Sequence, residues 1–421
     1  MNVQILPSVA AGSVSAPPSK SMAHRALLCG ALSRGSRITN LAASEDIKAT
    51  LSCLKALGAK VTETENGVYI GGADVFCPPE GAVLNCNESG STLRFLLPLC
   101  LLSGKEITLT GKERLLSRPL SIYEDICKQQ GIAFTKTTGS VTVQGRLKSG
   151  DYQVPGNISS QFITGLLYTL PLLPGDSRLE VTGAFESASY IDLTLSALAD
   201  FGIQITRQEN TFFIPGNQRY QAADYTVEGD MSNAAFLEGF NLLGGNVCVQ
   251  GINENTLQGD RVYLQMFRDL QQGKQDFDLS DCPDLAPVMF ALAAHFGGAQ
   301  FTGTRRLKIK ESDRAEAMAA ELKKLGIAST IEENSVEIHP GSLSAPTEPL
   351  QGHNDHRIVM ALSLLLTKTG GCIEGAQAVK KSYPDFFDVI KNLGIEIMAS
   401  NSCHCETSAH TGCGNLPPQF C

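Results

Sequence analysis

Leu54-Lys55-Ala56-Leu57-Gly58-Ala59-Lys60-Val61 is a helix-like run stopped by a glycine and followed at once by a β-prone stretch. The phrase recurs as Cys127-Lys128-Gln129-Gln130-Gly131-Ile132-Ala133-Phe134 and as Leu198-Ala199-Asp200-Phe201-Gly202-Ile203-Gln204-Ile205. Three further copies are Leu270-Gln271-Gln272-Gly273-Lys274-Gln275, Leu322-Lys323-Lys324-Leu325-Gly326-Ile327 and Ile390-Lys391-Asn392-Leu393-Gly394-Ile395. Each glycine suits a left-handed helix cap, because it lacks the Cβ that makes positive φ costly. The six glycines fall 73, 71, 71, 53 and 68 residues apart. That period is too long for a solenoid and fits a repeated α/β subdomain. Six units in two groups of three predict an α/β protein of two pseudo-symmetric globular domains, with a ligand cleft between them. The crossover is expected near Val227 to Asp230. The short β-prone segment before Pro17 is assigned to the second half of the chain. The expected division is therefore residues 1–17 and 229–398 as a discontinuous first domain, 18–228 as a second domain, and 399–421 as a disordered tail.

At 421 residues the chain exceeds one ordinary core. A formal charge of −9 argues against nucleic acid or an anionic membrane surface as partner, since both want a basic footprint. The N-terminus lacks a charged segment followed by a sustained apolar one, so no signal peptide is expected. The most apolar runs, Phe95 to Leu102 and Ile358 to Leu366, are too short to span a bilayer. Of 13 cysteines, nine are scattered singly, as Cys29, Cys53, Cys100 and Cys127 are, which suits reduced thiols in a cytoplasm. The other four, Cys403, Cys405, Cys413 and Cys421, stand near His404 and His410 in spacings that match no common zinc finger.

Against this acidic background, polar and basic groups gather where apolar helices begin. Pro17-Pro18-Ser19-Lys20-Ser21-Met22-Ala23-His24-Arg25 precedes the run Ala26-Leu27-Leu28. A helix N-terminus beside Lys20, with Arg25 further along the helix, would receive a phosphate. Glu45 and Asp46 sit in the first turn of a predicted helix, a role that accounts for both. Asn87-Glu88-Ser89-Gly90-Ser91-Thr92-Leu93-Arg94 opens another helix, and capping or anion binding would each explain it. Arg114 and Arg118 put two guanidinium forks in a loop. Ser159-Ser160-Gln161 and Ser187-Ala188-Ser189-Tyr190 are further polar helix starts. In the second half the groups become ionisable. Asp284 follows Pro283, and Arg306 to Arg314 carries Lys310 and Arg314 one turn apart with Glu311 beside them. His353-Asn354-Asp355-His356-Arg357 and Lys380-Lys381-Ser382-Tyr383-Pro384-Asp385 complete the series. Facing one cleft, these helix starts would form an anion-attracting chamber in an acidic protein.

In order along the chain, these stretches resemble the enolpyruvyl transferase family. The likeness rests on Ser19-Lys20-Ser21 with His24-Arg25, Gly90 to Arg94, Arg118-Pro119, Ser159-Ser160-Gln161 and Ser187 with Tyr190-Ile191-Asp192. It continues through Pro283-Asp284, Lys310 to Arg314, Asn354 to Arg357 and Lys381 to Asp385. The resemblance implies two halves of three α/β units each, of the inside-out α/β barrel type, closing on substrate. On its shikimate branch it implies transfer of the enolpyruvyl group of phosphoenolpyruvate to the 5-hydroxyl of shikimate 3-phosphate, with release of phosphate and with no metal or cofactor. Shikimate 3-phosphate would be held by Lys20, Ser21, Arg25, Ser159, Ser160, Gln161, Ser187, Tyr190, Asp284 and Lys310. Phosphoenolpyruvate would be held by Lys20, Gly90, Arg118, Gln161, Arg314, Arg357 and Lys381. Asp284, Glu311 and Lys20 are the implied proton-handling groups. A cytoplasmic monomer with small-molecule substrates is expected. Two positions depart from the family pattern. Glu88 stands where many relatives have Asn, and an acid there would repel an anion unless it turned away or were paired. Arg306 stands where some relatives have Asn.

Overall fold

The computed structural model describes residues 1–400, with side chains to residue 398. The expected tail, with its cysteines and the two histidines near them, lies outside the described residues, apart from Ala399 and Ser400. Those two extend the strand Ile397–Ser400, which pairs antiparallel with Asn2–Ile5.

All six repeat glycines have positive φ, between 68° and 93°. Five of the six units share one sheet plan. In the first, Asp224–Thr226 pairs parallel with Ser36–Thr39, which pairs antiparallel with Gly67–Gly71, which pairs antiparallel with Lys60–Thr64. The strand that follows the glycine-capped helix is the outer one. The same order is built by Val83–Asn85, Glu106–Thr110, Ser140–Gln144 and Ala133–Lys136. Three more sheets, ending on Thr206–Gln208, Ser329–Ile331 and Ile397–Ser400, repeat it again.

The fourth copy of the phrase breaks the pattern, and it is the one before the short 53-residue interval. Its sheet has only two strands, Ala11–Ser15 and Asn246–Gln250, paired parallel. The stretch after Gly273 forms Asp276–Asp278, the first strand of the next sheet. This unit lacks the antiparallel hairpin, which accounts for its length.

Two hydrophobic cores result. One gathers buried residues from Met22 to Val227, the other joins Val3, Ile5 and Ala10 to residues from Met231 to Ile395. The helices at their centres are buried nearly all round, as Gly90–Cys100, Ala286–His295 and His356–Thr369 show, so their sequences are continuously apolar. The chain passes between the cores twice, side by side. Ser19 N donates to Glu228 O and Asp230 N to Pro17 O, each at 2.8 Å. Gln258 fastens this crossing, its Nε2 donating to Gly229 O at 2.8 Å while its Oε1 accepts from Met231 N at 3.1 Å.

In the first core the helices Gly90–Cys100 and Ser160–Thr169 pack tightly against each other at Gly165. At Gly165 a Cβ would collide with the Arg94 carbonyl and the Tyr123 hydroxyl, which itself donates to Arg94 O at 2.6 Å and Phe162 O at 3.2 Å. Gly165→Ala should therefore destabilise the protein by about 1–3 kcal/mol through overpacking. An unchanged urea midpoint would show that the two helices can part at no cost.

Candidate active site

Three helices of the first core begin with serine caps spaced 70 residues apart: Ser19, Ser89 and Ser159. Their first turns line one cavity between the halves, whose wall includes Lys20, Ser21, Gly90, Ser91, Ser160 and Gln161. Amide groups at three helix N-termini thus converge on the same space, each favouring negative charge. From the second half come Asp284, Arg306, Lys310 and Glu311. Arg25, Arg118, Ser159, Ser187 and Tyr190 also line it. Six cations (Lys20, Arg25, Arg94, Arg118, Arg306 and Lys310) face three carboxylates (Asp46, Asp284 and Glu311) across this cavity.

The cations differ in how they are held. Lys20 Nζ donates to Asp46 Oδ2 at 2.9 Å; burial pulls its ammonium down, but Asp46 and Glu311 outweigh that and raise its pKa. Asp46 therefore does more than favour a helix start. Among the described residues Arg25 and Arg94 form no ion pair with a carboxylate. Arg25 donates to Thr194 Oγ1 (3.0 Å), Ser21 O (2.8 Å) and Tyr190 O (2.7 Å). Arg94 donates to Gln161 Oε1 (2.7 Å) and Pro119 O (3.1 Å) and lies over the Phe162 ring. Burial depresses both pKa values. Arg118 is buried with Nε unpartnered, and Gly90 makes room for it: a Cβ there would stand 2.7 Å from its terminal nitrogen.

Arg314, Arg357 and Lys381, expected among the ligand-holding groups, do not line the cavity; carboxylates hold them beside it. Arg314 is 1% exposed and joins three acids: Asp284 Oδ1 at 2.7 Å, Glu311 Oε2 at 2.9 Å and Asp355 Oδ2 at 2.9 Å. Arg357 reaches Asp284 Oδ2 at 3.0 Å. Lys310 reaches Asp284 Oδ1 at 3.2 Å, and Tyr190 Oη donates to Oδ2 at 3.2 Å. Burial would raise the carboxyls of Asp284 and Glu311, but the guanidinium and ammonium groups around them hold both well below the usual carboxylate range. Both acids are ionised at neutral pH.

The two departures are also placed. Glu88 reaches across the cleft: it pairs with Lys381, accepts from Asn354 Nδ2 at 2.9 Å and takes Lys112 Nζ at 2.7 Å. The expected repulsion is met by pairing. Arg306 Nε lies 2.6 Å from Glu186 Oε2, and its terminal nitrogen donates to Ser187 Oγ at 2.9 Å. Arg114 spans the cleft through the carbonyls of Lys308, Lys310 and Glu311. Ser91, Arg94 and Asp46 were not singled out as ligand-facing from the sequence. The 70-residue recurrence of the helix starts is the signal that would have found Ser91, which occupies the place of Ser21 and Gln161.

A family model described as EPSP synthase (3-phosphoshikimate 1-carboxyvinyltransferase) matches residues 7–390. A 3-phosphoshikimate 1-carboxyvinyltransferase of Clostridium kluyveri is 42% identical, the alignment covering 94% of this chain and 98% of the relative. Its counterpart in Clostridium novyi is 39% identical over 93% of this chain and 97% of the relative. A solved EPSP synthase from Acinetobacter baumannii superposes with a TM-score of 0.76 at 23% identity, covering 94% of this chain and 100% of that one, a likeness of fold.

Removing Arg314 would leave one buried and two half-buried carboxylates without their common partner. Arg314→Leu should cost about 3–5 kcal/mol at pH 7.5. In the parent, the stabilisation from these depressed acids is present above their unfolded values, about 3.9–4.3, and is lost only as pH falls through the lower folded ones. In the variant the acids' folded values rise, so its deficit should shrink as pH is lowered toward 5. Urea unfolding at both pH values tests this, and equal deficits would refute it.

Proposed function

The chain belongs to the EPSP synthase (3-phosphoshikimate 1-carboxyvinyltransferase) family, and from that premise we propose how its cleft performs the reaction. The protein is a transferase of the shikimate route to chorismate and the aromatic amino acids. It moves the enolpyruvyl group of phosphoenolpyruvate to the 5-hydroxyl of shikimate 3-phosphate, releasing phosphate. Among the described residues no helix is long and apolar enough to cross a membrane. The observation that carries our reading of the site is the meeting of six cations and three helix N-termini at one cavity that also holds ionised Asp284 and Glu311. Two polyanions can be brought together only where their repulsion is offset, and one close charge pair is worth about 4 kcal/mol at an effective dielectric near 20.

In our assignment Ser21, Arg25, Ser159, Ser160, Gln161, Ser187, Tyr190 and Lys310 hold shikimate 3-phosphate, with Lys20 and Asp284 at its 5-hydroxyl. Phosphoenolpyruvate takes Arg118, which is buried and held in no ion pair among the described residues, above Gly90 and beside Gln161. It also takes Arg314, Arg357 and Lys381, which requires an exchange of counter-ions: the anionic substrate displaces Asp284 from Arg357 and Glu88 from Lys381. The exchange frees an oxygen of Asp284 to act as a base. Asp284 then accepts the 5-hydroxyl proton as that oxygen bonds to C2 of phosphoenolpyruvate. Lys20, whose ammonium is stabilised, gives its proton to the methylene carbon. Positive charge developing at C2 is faced by the carboxylates of Glu311 and Asp284. In the second step the methyl carbon returns a proton to Lys20, the C2–O bond to phosphate breaks, and phosphate leaves with the proton held by Asp284. Both groups recover their starting states.

Phosphate release from phosphoenolpyruvate should be seen with shikimate 3-phosphate and not with a UDP-amino sugar. Release only with the nucleotide sugar would reassign the acceptor. Asp284→Asn and Glu311→Gln should each lower kcat by about 100-fold or more, and near-normal turnover in both would remove them from the chemistry. Gly90→Ala, by pushing its Cβ against Arg118, should weaken inhibition by glyphosate, a phosphoenolpyruvate mimic, more than it weakens turnover. Equal losses would count against that placement of Arg118.

A further inference from the structure

Behind the ligand cleft lies a smaller cavity that the proposed chemistry does not use. Ser19, Ser21, Tyr190, Asp230, Ser232 and Asp260 contribute to its wall, and Ser21 and Tyr190 face both cavities. Its two acids are buried but unequally satisfied. Asp230 caps Met231–Leu242, with Oδ1 accepting from Asn233 N at 2.8 Å and Oδ2 from Lys20 N at 3.2 Å. Asp260 accepts from the Ser232 hydroxyl through Oδ2, while its Oδ1, like Ser19 Oγ, is buried with no hydrogen-bond partner among the described residues. A half-satisfied buried carboxylate is costly and calls for a reason.

We propose that Asp260 is a positioning residue for the second anion: Tyr190, on the wall between the cavities, faces Asp260 and donates to the Asp284 oxygen that Arg357 also reaches, and through that wall the Asp260 carboxyl sets the potential at Arg357, and so the strength with which the cleft holds phosphoenolpyruvate. This rests on the assignment of Arg357 to phosphoenolpyruvate above. The groups that act on Asp260 come from every neighbouring element. They are Asp230 and Ser232 of helix Met231–Leu242 and its cap, Asp284 of the turn Pro283–Leu285 with Cys282 before it, Arg357 of helix His356–Thr369 and Tyr190 of helix Ala188–Asp200. Arg357 is the one cation among them. Burial first, then Asp284 and Asp230, push the Asp260 carboxyl up to about 7 against the pull of Arg357 and Ser232. Asp260 therefore changes charge across the neutral range. Ionised, it opposes the approach of a further anion to Arg357; protonated, it does not. Phosphoenolpyruvate binds more weakly as pH rises.

The test is the KM for phosphoenolpyruvate from pH 6 to 8.5, at saturating shikimate 3-phosphate, in the parent, Asp260→Asn and Ser232→Ala. Between pH 6 and 8 the parent's KM should climb about five- to tenfold relative to Asp260→Asn. Ionisation of the substrate's own phosphate is common to both and cancels in the ratio, and the ratio of kcat values should stay flat. Ser232→Ala removes the donor that favours the ionised form, so its rise should come at higher pH. A melting series gives a second arm. A carboxyl raised above its unfolded value of about 3.9 keeps in the fold a proton that the unfolded chain has shed. The parent should therefore lose melting temperature relative to Asp260→Asn between pH 5 and 8. Parallel KM curves in all three proteins, or a melting gap constant with pH, would overturn the proposal. Absence of turnover in the parent would strike the reading of the preceding subsection instead, and the melting arm, which needs no substrate, would still rule on Asp260.

Discussion

Arg314 joining Asp284, Glu311 and Asp355 is the interaction on which the rest of the site depends. A guanidinium almost wholly removed from water is tolerable only if paired, and three carboxylates in the same place are tolerable only because it is there. Its consequences spread outward. Asp355 is fixed as the cap of His356–Thr369, accepting from Arg357 N at 3.0 Å, and so it aims Arg357 at Asp284. Asp284 is kept ionised and turned toward Lys310 and Tyr190. The second half of the cleft is thus one electrostatic unit, while the first half is built mainly from hydroxyls, amides and helix ends.

That asymmetry explains how an acidic protein can receive two anions. Among the described residues Arg25, Arg94 and Arg118 of the first half form no ion pair, although Glu311 lies near enough to act on Arg94 and Arg118, so their hydrogen-bonding charge is open to a ligand. The second half presents cations already matched to carboxylates, as Lys381 is to Glu88 across the cleft. A ligand entering there trades places with a carboxylate. Such a trade costs less than taking up a bare buried charge, since the cations are never left unpaired. In the proposed reaction one displaced carboxylate, that of Asp284, is the group that must then take a proton and face a cationic carbon.

Much of the fold was legible because a glycine with positive φ leaves a mark that tertiary context rarely overrides. The fourth unit departs from the plan nonetheless: Gly273 stops its helix as the others do, but a glycine cannot say to which sheet the next strand belongs. The helix starts of the site were legible through their hydroxyls and cations. Which cation faces the cavity was not, because Arg314 and Arg25 look alike in sequence and differ only in whether acids from distant segments reach them. Glu88 was recognised as out of place, and its pairing with Lys381, 293 positions away, could be seen only in three dimensions. Asp260 carried no signal, since an acid in a Gln-Gly-Asp-Arg run reads as surface.

The N-terminal strand Asn2–Ile5 sits inside a sheet, between Gly371–Glu374 and Ile397–Ser400. The residues it pairs with are therefore made about 370 or more positions after it. At roughly 5–20 residues per second this end of the chain waits on the order of 20–70 s for its partners, long enough for the core formed between Met22 and Val227 to complete itself first. The second core is thus closed by a segment made long before the rest of that core. Until then the apolar side chains of Val3 and Ile5, both buried in the finished protein, are open to whatever else in the cell binds extended apolar peptide.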